Sequence, residues 1–81
     1  MTEHPSLVVC IGGSAGGHDA LRELFDRVDH DVDAVFLVVL HIAAAGQSVL
    51  PRIVARATDL QVLPATDGAP LVRGRVYVAV A

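Results

Sequence analysis

Lysine is missing altogether. The six basic residues of this 81-residue chain are all arginines, and they are scattered. The absence excludes a phosphate-binding P-loop, whose glycine turn must run on into Lys and Ser or Thr. Six dispersed arginines against nine acidic residues make a net charge of −3, with no basic stripe to follow a nucleic acid. Cysteine is reduced to one residue, Cys10, so no internal disulfide can form. Lying inside an apolar run, Cys10 is expected to be a buried, inert thiol. The start, Met1-Thr2-Glu3-His4-Pro5, has no basic lead and therefore no secretory signal. The longest apolar run, Ala34 to Leu40, falls far short of the ~20 residues of a membrane helix. These absences predict a cytoplasmic protein with no nucleic-acid partner and no direct membrane insertion. Aromatics are scarce, at 4%, while apolar residues reach 53%. That balance suits a β-branched parallel sheet covered on both faces.

A chain this short makes one domain at most, burying roughly 60% of its unfolded surface. A parallel sheet with helices on both faces usually needs more residues. The last stretch, Val76 to Ala81, reads as a strand without a stop signal. Residues 1–81 are therefore expected to form the N-terminal part of a larger domain, truncated at its C-terminus. On that expectation the final strand lacks its downstream neighbours and presents an apolar edge.

Apolar runs at Leu7 to Ile11 and Ala34 to Leu40 carry no polar residue, as central strands do. Between them, His18 to Val28 has a helical stripe of Ala20, Leu21, Leu24, Phe25 and Val28. Arg22, Glu23, Asp26 and Arg27 fall on the opposite, wet side. Asp29 to Asp33 alternates aspartates but lacks the glycine and glutamate of a calcium loop, so it reads as a solvated connection. A second helix is expected from Val49 to Ala57, capped by Ser48, with Pro51 tolerated in the first turn. A short strand follows at Gln61 to Pro64, then turns at Asp67-Gly68 and Gly74, then a strand from Arg75. This order predicts a three-layer, doubly wound, Rossmann-like α/β parallel sheet.

The stretch that carries chemistry is Gly12-Gly13-Ser14-Ala15-Gly16-Gly17, between the first strand and the first helix. From Gly12 to Gly16 it reads G-x-S-x-G, the pattern of a nucleophile elbow. Glycines on either side would permit a sharp turn that exposes Ser14. The helix start beyond supplies unpaired N–H groups suited to an oxyanion. Two other readings fit the same residues. One is a plain strand-to-helix turn with Ser14 as the cap. The other is a non-catalytic α/β module that binds phosphate or a nucleotide at the helix start. The dinucleotide fingerprint itself is excluded, since Ser14 stands where its second glycine should be and His41 where its acidic residue should be.

His41 follows the carboxyl end of the second strand, as Ser14 follows that of the first. Consecutive strands of a right-handed βαβ unit commonly pair, so both residues are expected at one edge, on neighbouring strands. There a histidine can act as general base for a serine. His18 opens the helix beside Ser14 and could line the site, whereas His4 and His30 lie in a tail and a loop. No carboxylate is convincingly placed to orient His41. Asp67 is accounted for by its Asp-Gly turn.

These residues resemble the catalytic domain of the CheB family, the chemotaxis protein-glutamate methylesterases. The family's first strand ends in I-G-A-S-[TA]-G-G, here Ile11 to Gly17. Its second ends in histidine, here Val38-Val39-Leu40-His41. A D-G segment then leads to G-x-x-Y-[IV]-A, here Asp67-Gly68 and Gly74 to Ala79. The resemblance implies that Ser14 is the nucleophile and His41 its general base. It implies hydrolysis of glutamate methyl esters on chemoreceptors, with release of methanol, and deamidation of receptor glutamines. No cofactor or metal is implied. The partners would be methyl-accepting receptors as protein substrate, together with a separate receiver domain or a methyltransferase. The family's triad aspartate lies beyond the residues matched here, so this stretch alone is expected to be inactive. No receiver domain is recognised in the 81 residues, and control by phosphorylation within them is not expected.

Overall fold

A computed structural model describes residues 4–14, 18–41 and 50–80. Four strands and two helices follow in the order β1 (Leu7–Ser14), α1 (His18–Phe25), β2 (Ala34–His41), α2 (Leu50–Ala55), β3 (Gln61–Pro64) and β4 (Arg75–Val80). The strands form one sheet in the order β1-β2-β4-β3, and every neighbouring pair is parallel. The fold class is therefore the α/β parallel sheet that the alternating apolar and helical runs predict.

The register divides the sheet into two faces, because residues on a strand alternate sides. One row crosses the sheet as Val9, Phe36, Val76 and Val62. This face carries the core. Leu21 and Phe25 of α1, with Val54 and Ala57 in and just after α2, pack on Ala34, Phe36, Val38, Val76 and Val78. The Phe25 and Phe36 rings meet edge to face, 5.1 Å between centroids. Val28, Val62, Val9 and Ile11 seal the margin of this cluster.

The opposite face is covered differently. Its middle row runs Cys10, Leu37, Tyr77 and Leu63. Tyr77 is buried beneath the Ala65–Gly74 connection, where its hydroxyl donates to the Pro70 carbonyl and accepts from the Val72 N–H, both at 3.2 Å. Handedness explains the arrangement. From β1 to β2 and from β2 to β3 the chain advances across the sheet, whereas from β3 to β4 it steps back. A right-handed crossover that reverses direction must lie on the other face. Both helices accordingly share one face, and the returning loop lies on the other.

Cover on the loop face thins toward β1. Tyr77 is buried, Leu37 half-buried and Cys10 exposed. The expectation of a buried thiol at Cys10 is therefore corrected: the residue lies on an edge strand, on the side away from both helices. The expected apolar edge at the final strand is also corrected. Among the described residues β4 is paired on both sides, by β2 and β3, and the outer strands are β1 and β3. Leu7 and Val8 are correspondingly exposed, at 58% and 47%. Both helices are shorter than their apolar periodicity predicts. After Phe25 the backbone tightens, with Val28 N–H bonded to the Phe25 carbonyl, and Ala20 and Leu24 are exposed rather than core-facing. The Ser48 cap and the loop after His41 lie outside the described residues.

At the amino edge of the sheet, a polar clasp joins the starts of three strands. Ser6 donates both its backbone N–H and its hydroxyl to the Asp33 carboxylate, and Arg73 lies 3.8 Å from it. The two Ser6 hydrogen bonds, with Arg73 assisting, hold the Asp33 carboxyl below its ordinary value. A depressed pKa contributes stability above the unfolded value, about 3.9, and loses it as pH falls through the folded value. Thermal melts below pH 4 should therefore decline more steeply for the parent chain than for Asp33→Asn. Equal slopes would dissolve the clasp as a stabilising element.

Candidate functional site

All four strands run the same way, so their carboxyl ends share one edge of the sheet. Ligands of open α/β sheets bind outside that edge. Here β1 ends at Ser14 and β2 at His41. The two residues are register partners, the last pair of an unbroken parallel ladder that begins at Leu7 and Ala34. Paired strands lie about 4.8 Å apart, which sets the backbone separation of this pair. Ser14 and His41 also belong to the same alternating set of positions as Val8 and Val35, Cys10 and Leu37, and Gly12 and Val39.

β1 runs three residues further than its apolar run predicts, through Gly12 and Gly13 to Ser14. The extension corrects one part of the elbow argument. Among the described residues only Gly68 and Gly74 have positive φ, at 79° and 77°. Gly12, Gly13 and Ser14 continue the strand, so neither glycine is required there for an unusual backbone angle. Gly12 is not required for space either: a Cβ there would meet nothing nearer than the Val39 carbonyl, at 4.0 Å. The rest of the motif, residues 15–17, lies outside the described residues. The turns predicted at Asp67-Gly68 and Gly74 do form.

The remaining candidates separate from this pair. His18 is the first residue of α1. Asp67 is exposed and follows β3, which β4 separates from β2. Two strand spacings, about 10 Å, thus part its strand from that of His41. This placement agrees with Asp67 serving its turn. His30 lies at the opposite edge, in a polar groove of about 360 Å³ between the ends of the two helices. Arg22, Asp26, Arg56 and Asp59 line the same groove. His30 Nε2 stands 3.8 Å from Asp59 Oδ2, but both side chains are largely in water, where such a pair is worth little. Among the described residues no group of three or more His, Cys, Asp or Glu side chains could hold a metal ion. No helix among them is long and apolar enough to cross a membrane.

Comparison with known proteins identifies the family. Residues 9–81 match the family described as CheB methylesterase. The chain is 35% identical over 72 residues to a protein-glutamate methylesterase/protein-glutamine glutaminase of Bacillus subtilis, a match covering 89% of this chain and 20% of that protein. A protein of the same description from Hahella chejuensis is 33% identical over 72 residues, with the same coverage. One from Rhizobium johnstonii is 29% identical over 79 residues, covering 98% of this chain and 21% of that protein. The chain thus spans about a fifth of the length of these curated relatives. No solved structure matches.

Because Gly12 is extended and its surroundings are open, Gly12→Ala should be tolerated. Lower backbone entropy in the unfolded chain should stabilise the variant by about 0.4–1 kcal/mol. A melting temperature below that of the parent would show that the position needs glycine after all.

Proposed function

Given that the chain belongs to the CheB methylesterase family, we propose that residues 1–81 are the leading portion of its catalytic domain and carry the nucleophile and base of a serine hydrolase. The substrate is a glutamate methyl ester on a chemoreceptor, and the products are glutamate and methanol. The relatives' description as glutaminases extends the reading to receptor glutamines. The observation that carries it is the register pairing of Ser14 with His41 at the carboxyl ends of adjacent strands.

On this reading the Ser14 hydroxyl attacks the ester carbonyl while the His41 imidazole takes its proton. The carbonyl electron pair moves onto oxygen. The positive end of the α1 dipole would favour that negative charge. Collapse of the adduct breaks the bond to methoxide, and His41 returns the proton, releasing methanol. Water, deprotonated by His41, then attacks the acyl-serine, and glutamate leaves as Ser14 regains its proton. For a glutamine the leaving group is ammonia, by the same steps. No carboxylate of this chain is assigned to orient His41, and losing that function costs about 10⁴ in a serine protease. The 81 residues alone are thus expected to turn over ester very slowly.

A chimera tests the assignment. Let this chain replace the matching 72-residue segment of the Bacillus subtilis relative, with methanol release from methylated receptor as the assay. Ser14→Ala should lower the rate on the order of 10⁶-fold. His41→Gln should lower it severely while leaving the melting temperature unchanged. A Ser14→Ala chimera within a few-fold of its parent sinks the nucleophile. A His41→Gln chimera that melts lower but keeps its turnover makes His41 structural.

A further inference from the structure

Behind the Ser14–His41 pair the register sets a row of small, uncharged residues. Gly12 pairs with Val39, and Val39 pairs with Ala79 on its other side. Positions two apart on a strand share a face, so this row belongs to the same face as the Ser14–His41 row, away from both helices. At a rise of about 3.3 Å per residue the two rows are about 6.6 Å apart. Gly12 brings no side chain to its place. Its φ is not positive, and among the described residues a Cβ there would meet nothing nearer than the Val39 carbonyl, at 4.0 Å. Neither backbone angle nor strand packing therefore calls for glycine at this position. A glycine inside a strand weakens it, and often marks a place where a ligand or another backbone comes close.

Resting on the reading of Ser14 and His41 as nucleophile and base, we propose that Gly12 and Val39 form the floor that receives the methyl group of the ester, and so set the size of the leaving alcohol. The substrate side chain hangs from a folded protein, whose backbone must stay outside the carboxyl edge of the sheet. A glutamyl ester therefore enters end on, and its methyl carbon reaches furthest along the strands. The ester oxygen must come within reach of His41, which protonates it. The methyl beyond that oxygen then falls over the next row. The missing side chain at Gly12 leaves room for it, and Val39 bounds that room with apolar branches. A glutamine ends one heavy atom sooner, at its amide nitrogen, and stops short of the row. Register and residue size carry this, whatever lies over that face of the sheet.

The chimera with the Bacillus subtilis relative tests it on a folded receptor fragment. At one position the fragment carries glutamate methyl ester, glutamate ethyl ester or glutamine. Gly12→Val fills the room with a residue that strands favour. The ratio of kcat/KM for methyl ester to that for glutamine should fall about 10- to 200-fold, the discrimination that one methylene in a pocket allows. Val39→Ala widens the floor, and the ratio for ethyl over methyl ester should rise. Should Gly12→Val fail to fold, as read by circular dichroism, Val39→Ala decides alone. If Gly12→Val slows ester and amide alike, or Val39→Ala leaves the ethyl ratio where it was, the floor is overturned while Ser14 and His41 stand. A Ser14→Ala chimera that keeps its turnover strikes the nucleophile, and the floor with it.

Discussion

Right-handed crossover is the constraint from which the rest of the molecule follows. A twisted parallel sheet accepts a returning chain with one hand only. Two forward steps place α1 and α2 together over Phe36, Val38, Val76 and Val78, and the single backward step sends the Ala65–Gly74 connection across the other face. The core therefore has one helical side. The loop side depends on Tyr77, which presents an apolar ring to the sheet and a hydroxyl to the loop backbone. A residue without that polar tip would leave the Val72 N–H without its bond to the ring's hydroxyl.

The same constraint positions the ends of the strands. All strands are parallel, so one edge of the sheet collects their carboxyl ends. The unbroken ladder between β1 and β2 brings Ser14 and His41 to it as partners. Precision comes from rigid strands, each tied along its length. Pairing of this kind fixes the backbone separation of the two strand ends. At the amino edge Ser6, Asp33 and Arg73 tie the starts of β1 and β2 to the turn before β4. The contacts are exposed and individually weak, but they sit where three chain segments enter the sheet.

Among the described residues the two outer strands of the sheet differ in length and composition. β3 closes its edge by brevity and proline, whereas β1 exposes an uncharged strand with apolar residues beside it. Among the described residues, the strand that carries Ser14 is paired on one side, with β2. Ligand sites of open α/β sheets lie in the crevice where strand order reverses, flanked by strands on either side. In this sheet Ser14 has such a neighbour on one side only.

Much of this was legible in the residues themselves. Continuous apolar runs marked β1 and β2: β2 is covered on both faces, and β1 sets Val9 and Ile11 against the core. Gln61 to Pro64 and the start of β4 were readable from the turns that bracket them, since Asp67-Gly68 and Gly74 are local signals. The pairing of β1 with β2 followed from chain handedness, and with it the meeting of Ser14 and His41. Other features were decided by tertiary structure. Strand order is set by which hydrogen-bonding partners are free, and no local pattern announces that β4 enters between β2 and β3. That insertion gives β4 a neighbour on each side, and Cys10, on an outer strand of the described sheet, is exposed though its apolar neighbours suggested burial. The extension of β1 through Gly12 and Gly13 was likewise set by β2: glycine has little preference for a strand, and the partner's backbone holds it there.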